Sequence, residues 1–353
     1  MTNPKTKPAS LPVVRAAELS GYLGAGEIGD EDPLLRPLIF VDLESPIGDY
    51  ELAAAIASCS TTTRLVIGVA ADPVDERLWS LTEQLTCTLV PAAGSWNEIG
   101  VSDLAGARAA IASAVARTPR AALSVAQLLR ANSRLPVADA LVAESFAYSM
   151  LLAGVEFQSW LNSRPQRREA VQQTQAVQVQ RNGDTLEVRL NQPARRNAFS
   201  RQVRDGLADA YDLAALDPSL ARIRLSGNGP SFCSGGDLDE FGLNRDISTS
   251  HLIRLNRSVA ARIHRCRDRA EVTVHGACIG AGIELASFAS RLVGRDGGYF
   301  QLPELAMGLV PGAGGTVGVP RRIGRWRTAY LVLTGARIDV ATALEWGLID
   351  ARG

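Results

Sequence analysis

The sequence predicts an α/β protein, and three observations predict it. Residues on both sides of Asn182-Gly183-Asp184 alternate between apolar and polar, the period of half-buried strands around a tight turn. Ser200 to Ala215 instead places its apolar residues at helical spacing, and the first third of the chain carries short apolar runs separated by helical stretches. Repeated alternation of strand and helix is the pattern of layered α/β domains.

In chain order, Pro37-Leu38-Ile39-Phe40-Val41-Asp42-Leu43, Arg64-Leu65-Val66-Ile67-Gly68-Val69 and Leu85-Thr86-Cys87-Thr88-Leu89-Val90 read as buried strands. Helical stretches lie between the first two and around Glu76 to Leu85. From Leu104 to Leu161 the pattern is helical, with breaks near Pro119 and Pro136. Asn162 to Gln175, with Arg164-Pro165-Gln166-Arg167-Arg168 and several glutamines, is a polar break, and it predicts a boundary between residues 1–165 and 166–353. Beyond it, Ala176–Gln180 and Leu186–Leu190 form the hairpin, Ser200 is the expected N-cap of a helix, and Ala221–Leu225 returns to strand.

Length and composition agree with this reading. A chain of 353 residues, 46% of them hydrophobic, can build two domains with a sizeable core. The 37 basic and 37 acidic residues balance, so no general attraction to nucleic acid or acidic membranes is expected. Only Lys5 and Lys7 are lysines, leaving arginine as the cation available to clamp phosphate. Cys59, Cys87, Cys233, Cys266 and Cys278 show no metal-ligand spacing, and a scattered odd set suggests reduced thiols in a cytoplasm. Met1 to Leu11 lacks the apolar run of a signal peptide, and no apolar stretch reaches membrane-spanning length.

The strongest chemistry lies between Glu271 and Gly335. Glycines at Gly276, Gly280 and Gly282 let the backbone approach a ligand, and the amides opening the following helix can hold an anionic oxygen. Glu284 and Glu304 stand near that turn. Two carboxylates beside an anion hole can move one proton on and another off, which is acid–base work on a carbon next to a carbonyl. Taken singly, Glu284 is better read as an acid favouring a helix dipole and Glu304 as an ordinary N-terminal turn acid than either is as a catalyst. Gly312-Ala313-Gly314-Gly315-Thr316 lacks the Gly-Lys-Ser/Thr ending of a phosphate loop, and no Gly-x-Gly-x-x-Gly follows an early strand. His251, His264 and His275 carry no partner pattern, and Cys233 and Cys278 read as small buried fillers.

Val274-His275-Gly276-Ala277-Cys278-Ile279-Gly280-Ala281-Gly282-Ile283-Glu284-Leu285-Ala286, then Phe300–Glu304 and Gly308–Thr316, resemble the enoyl-CoA hydratase/isomerase (crotonase) superfamily. Leu190–Pro193 with Arg196–Phe199 resembles its first CoA-contacting loop, and Ser231–Leu238 the loop giving the first anion-hole amide. The resemblance implies a ββα spiral core, with Gly236 and Ala281 as amide donors to a thioester oxygen. It implies Glu284 and Glu304 as the catalytic pair, and Arg195, Arg196, Ala198, Ser234, Gly235, Asp237, Leu238, Gly280 and Gly312 around substrate and CoA, with a solvated loop charge as the alternative for Arg195 and Arg196. The implied reaction is reversible hydration of a 2-enoyl-CoA, with an acyl-CoA thioester as partner, no cofactor beyond the coenzyme A carried by the substrate, and a homo-oligomer, trimer or hexamer.

Departures leave other readings open. Gly236 and Ala281 replace the alanine and glycine common at those positions. The family also holds isomerases, specialised lyases and a cofactor-independent oxygenase preceded by its own helical domain. A non-catalytic acyl-CoA-binding subunit is a further alternative. Asp239 to Arg254 is expected to wall the acyl pocket. The core motifs run to Gly347–Gly353, where the family's helical tail would begin, whereas Ala116–Ala122, Ala138–Ser145 and Glu156–Leu161 resemble that tail. The expectation is a relocated tail on a degenerate crotonase-like N-terminal module; an unrelated helical domain is the alternative.

Overall fold

A computed structural model of the chain describes residues 13–27, 34, 36–165, 175–244 and 246–353. The chain divides into two compact units, Met1–Pro119 and Arg120–Gly353.

The first unit is a five-stranded, all-parallel sheet whose spatial order follows the sequence: β1 (Val13–Arg15), β2 (Leu38–Asp42), β3 (Leu65–Val69), β4 (Cys87–Val90) and β5 (Glu98–Gly100). Helices α1 (Leu19–Glu27), α2 (Asp49–Thr61), α3 (Trp79–Thr82) and α4 (Leu104–Arg117) connect or follow the strands. The three apolar runs read from the sequence are β2, β3 and β4. A core including Val41, Val66, Leu52, Leu81 and Leu85 joins sheet to helices, as expected for strands buried on both faces. β1 and β5, of three residues each, are too short to show a period.

The second unit opens with three helices, α5 (Pro119–Asn132), α6 (Val137–Leu152) and α7 (Val155–Asn162). A six-stranded sheet follows, in spatial order β14-β11-β9-β8-β7-β6: β6 (Val177–Asn182) and β7 (Thr185–Leu190) form the antiparallel hairpin, and β8 (Arg222–Gly227), β9 (Ala270–Val274), β11 (Arg291–Gly294) and β14 (Ala351–Arg352) add in parallel. A second sheet joins β10 (Ala277–Ile279), β12 (Tyr299–Gln301) and β13 (Ile338–Asp339). Helix α8 (Arg201–Leu216) follows the hairpin as expected, with the Ser200 hydroxyl accepting from the Val203 amide at 3.3 Å and Val203, Leu207, Ala210, Tyr211 and Ala214 buried. Helices α9 (Ile247–Asn256), α10 (Val259–Arg265), α11 (Ala281–Ala286), α12 (Gly315–Thr334) and α13 (Val340–Glu345) complete the unit.

The expected boundary at 165/166 is therefore displaced. The break falls at 119/120, because α6 packs on α9, α10 and α12, and α7 packs on the turn Glu304–Met307. These helices belong with the motif-bearing core. Most of the polar stretch read as a linker, residues 166–174, lies outside the described residues, as does Met1–Leu11. No single helix among the described residues is long and apolar enough to cross a membrane.

Candidate active site

Close backbone approach sets the Ser231–Asp237 loop against α11. Cys233 bridges to Cys278 and Phe199 to Gly236 in parallel, which lays the Ser231–Asp237 loop beside β10 and the start of α11. A Cβ at Gly282 would lie 2.9 Å from the Cys233 carbonyl oxygen, so only glycine lets α11 come this close. The amides of Ser234, Asp237 and Gly280 are taken by the carbonyls of Arg196, Phe199 and Gln301 at 3.0, 3.1 and 2.9 Å. Those of Gly236 and Ala281 donate to no acceptor among the described residues, and both residues line one cavity of about 1090 Å³. Two unsatisfied donors on one cavity wall suit a developing oxyanion.

Glu284 and Glu304 line the same cavity, 2% and 7% exposed. Glu284, on α11, accepts from the amides of Ala313 and Gly315 through Oε2, at 2.7 and 2.9 Å. Glu304 follows Pro303; its Oε1 sits against Gly280, whose φ of 48° and lack of Cβ both make room, and its Oε2 is buried without a hydrogen-bond partner among the described residues.

A third carboxylate joins them. Glu144, from α6, is 2% exposed; its Oε1 accepts from the Gly314 amide at 2.7 Å and its Oε2 from the Thr316 amide and hydroxyl at 2.9 and 2.6 Å. Four successive amides thus alternate between two carboxylates: Ala313 and Gly315 to Glu284, Gly314 and Thr316 to Glu144. Asn132 of α5 secures the same Thr316 hydroxyl at 3.0 Å. Gly315 and Thr316 open α12, which is broken at Gly324 (φ 80°), so the dipole of its first segment adds to the local hydrogen bonds.

Burial raises the pKa of all three carboxyls: Glu304 to about 8, Glu144 to about 7, and Glu284 well above the ordinary range, with Glu304 and Glu144 as like-charged neighbours adding to the rise at Glu284. The hydrogen bonds separate their roles. Glu284 and Glu144 have donors that favour the carboxylate, while the bare Oε2 of Glu304 favours the acid. Tyr148 stands among them, with Glu284, Glu304, Glu144 and Arg254 all contributing to its field; burial raises its pKa, so the phenol stays protonated.

Of the residues expected around substrate, Ser234, Gly235, Asp237, Leu238 and Gly312 line the cavity. Gly280 stands behind Glu304, and Ala198 is buried in the turn before α8. Arg195 is bound by Asp237, at 2.6 and 2.8 Å, and by Asp239, at 2.9 Å, so it braces the loop that carries Gly236. Arg196 has a φ of 52° and gives its carbonyl to the Ser234 amide. The Asp239–Arg254 stretch supplies a cavity wall through Phe241, Leu243, Ile247 and Arg254, as expected. Burial pushes the Cys233 thiol up to about 12 and Cys278 well above its ordinary value, so neither is a thiolate. His275 bonds the Gly229 carbonyl at 2.8 Å, beside the glycine turn. Sequence reasoning missed Glu144, Tyr148 and Arg254. The available signal was a carboxylate on the apolar stripe of α6, in register with Ala140, Leu141 and Leu151.

The enoyl-CoA hydratase/isomerase family profile matches residues 180–352. The 2,3-dehydroadipyl-CoA hydratase of Escherichia coli (strain K12) is 32% identical over 172 residues, 49% of this chain and 67% of that protein. The enoyl-CoA isomerase/hydratase of Mycosarcoma maydis is 31% identical over 173 residues, 46% of this chain and 62% of that protein. Among solved structures, the enoyl-CoA hydratase from Thermoplasma volcanium GSS1 is 28% identical, with a TM-score of 0.47, covering 51% of this chain and 72% of that one. The chain spans about two thirds of the length of the curated relatives it matches. It belongs to the enoyl-CoA hydratase/isomerase (crotonase) superfamily.

Proposed function

We propose that the protein catalyses reversible hydration of a 2-enoyl-CoA thioester, without a cofactor beyond the coenzyme A of the substrate. The observation that carries this reading is the presence of two buried glutamates, differently hydrogen-bonded, in the cavity that receives the unsatisfied amides of Gly236 and Ala281.

The thioester oxygen accepts from those two amides, and negative charge grows on it as the enolate forms; removing one such donor costs about 3 kcal/mol of transition-state stabilisation. Glu284, as carboxylate, takes a proton from water while the water oxygen bonds to C3. The electron pair of the C2–C3 double bond moves toward the carbonyl, and Glu304 then delivers its proton to C2. Water is added across the double bond, and a proton passed from Glu284 back to Glu304 resets the pair. Dehydration runs the same steps in reverse. By family analogy the protein works as a homo-oligomer, and its reduced cysteines suit a cytoplasmic location.

Incubating the protein with a 2-enoyl-CoA in ¹⁸O-labelled water tests the reading. A 3-hydroxyacyl-CoA carrying the label at C3 is expected. An unlabelled positional isomer of the substrate, with no hydroxyacyl product, would overturn hydration.

A further inference from the structure

Arg254 lies on α9 and lines the cavity. Its Nη1 donates to the Ser145 carbonyl and hydroxyl at 3.3 and 2.9 Å and to the Ser149 hydroxyl at 3.0 Å, and its guanidinium carbon lies 4.5 Å from the centre of the Tyr148 ring. The Ser145 hydroxyl is in turn 2.9 Å from His251 Nδ1. Neutral groups on α6 therefore fix the guanidinium in place before any ligand arrives. Its Nε and Nη2 donate to no acceptor among the described residues, and no carboxylate among them is within ion-pairing distance.

The neighbouring arginines behave differently. Arg257 pairs with Asp205 and Asp209, and Arg262 and Arg265 share Asp212. Glu144 adds favourable charge nearby but forms no ion pair with Arg254, and its oxygens accept from Gly314 and Thr316. Arg254 is half-buried, and burial lowers its pKa while the nearby Tyr148 and Glu144 offset part of that. Its planar fork matches a carboxylate in geometry as well as charge. Tyr148, whose ring it covers, packs against Gly312 of the loop that holds Glu284, so the guanidinium and the carboxylates share one cavity. Arg195 is already taken by Asp237 and Asp239.

We propose that Arg254 is a specificity-determining residue that binds a carboxylate at the far end of the acyl group, so that the preferred substrates are CoA monoesters of dicarboxylic acids. The inference rests on the acyl-CoA reading above and assigns the substrate class of that same cavity. The carboxylate accepts from the free Nε and Nη2. The intervening chain lies along the apolar wall of Leu141, Leu152, Phe157, Trp160 and Phe241, whose aromatic rings stand 5.6–6.4 Å apart.

The test is calorimetric binding of saturated thioesters, which cannot be hydrated, in pairs matched for length: glutaryl-CoA with pentanoyl-CoA, and adipyl-CoA with hexanoyl-CoA. In at least one pair the carboxylate-ended ester is expected to bind about tenfold tighter or more. In Arg254→Met that preference disappears while the neutral esters stay within about threefold of wild type. Arg254→Lys, which keeps the charge but not the fork, recovers part of it. Equal binding within both pairs in the wild type, or an equal loss for charged and neutral esters in Arg254→Met with the fold intact by circular dichroism, overturns the proposal. Binding is read without turnover, so failure of the hydration reading, seen as no conversion of any 2-enoyl-CoA, is a separate result.

Discussion

Replacing Glu144 should damage catalysis through a loop that Glu144 itself holds. Its carboxylate receives three hydrogen bonds at 2.6–2.9 Å from Gly314 and Thr316, and the amides interleaved with them hold Glu284. Glu144→Gln keeps shape but has one acceptor oxygen. If that oxygen stays with Thr316, which supplies two donors, the new NH₂ faces the Gly314 amide, donor against donor. Leaving one buried donor unsatisfied costs about 1–3 kcal/mol. Glu144→Ala strands all three donors and, with partial relaxation, is expected to cost roughly 3–5 kcal/mol. Both losses are read from urea unfolding. A displacement of ~1 Å at a reacting group can cost about a hundredfold in rate, so kcat for Glu144→Gln should fall between about tenfold and a hundredfold with KM little changed. A folded Glu144→Gln protein with wild-type kcat and stability would refute the claim that the alternating amides position Glu284.

Other expectations follow from the same geometry. Glu304, with a folded pKa of about 8 against an ordinary value near 4.5, holds its proton more tightly when folded, so its contribution to stability is present at low pH and is lost as pH rises from the ordinary value through about 8. Glu304→Gln should therefore raise Tm relative to wild type more at pH 8.5 than at pH 5, even as it abolishes turnover. In the wild type, kcat/KM should fall as pH rises through about 8, where Glu304 of the free protein loses the proton it delivers; a profile flat from pH 7 to 9.5 would remove it as the acid. Gly280→Ala brings a Cβ onto Glu304 Oε1 at a positive φ, and should cut kcat at least tenfold while circular dichroism stays native. Ser200→Ala should lower unfolding stability by about 1 kcal/mol, the usual value of an N-cap.

The elements legible in the sequence were those with a local cause. The β6–β7 hairpin has alternation and a turn glycine, α8 has Ser200 and a buried stripe, and the breaks before α5 and α6 have Pro119 and Pro136. The turn from Gly276 to Glu284 was legible because its glycines and carboxylate fall in one contiguous stretch. Glu144 and Arg254 were not, since their roles depend on α6 packing against α9 and α12, contacts that join Ser145 to Arg254 across 109 residues and Glu144 to Thr316 across 172, and no local periodicity records them. The polar stretch near Pro165 looked like a boundary for a related reason: composition marks where a chain leaves a packed element, not which core that element joins. Arg195, a basic residue at the expected CoA loop, has its charge met by Asp237 and Asp239, a pairing that its local sequence does not record.

The most direct test of the central claim is absorbance loss at the conjugated thioester band, measured with crotonyl-CoA, longer 2-enoyl-CoAs and carboxylate-ended 2-enoyl-CoAs, for wild type, Glu284→Gln and Glu304→Gln. The account predicts turnover by the wild type on at least one of these substrates and a loss of about a hundredfold or more in each variant. Folded wild-type protein that binds the esters without consuming any of them, or either variant retaining wild-type rates, would contradict it.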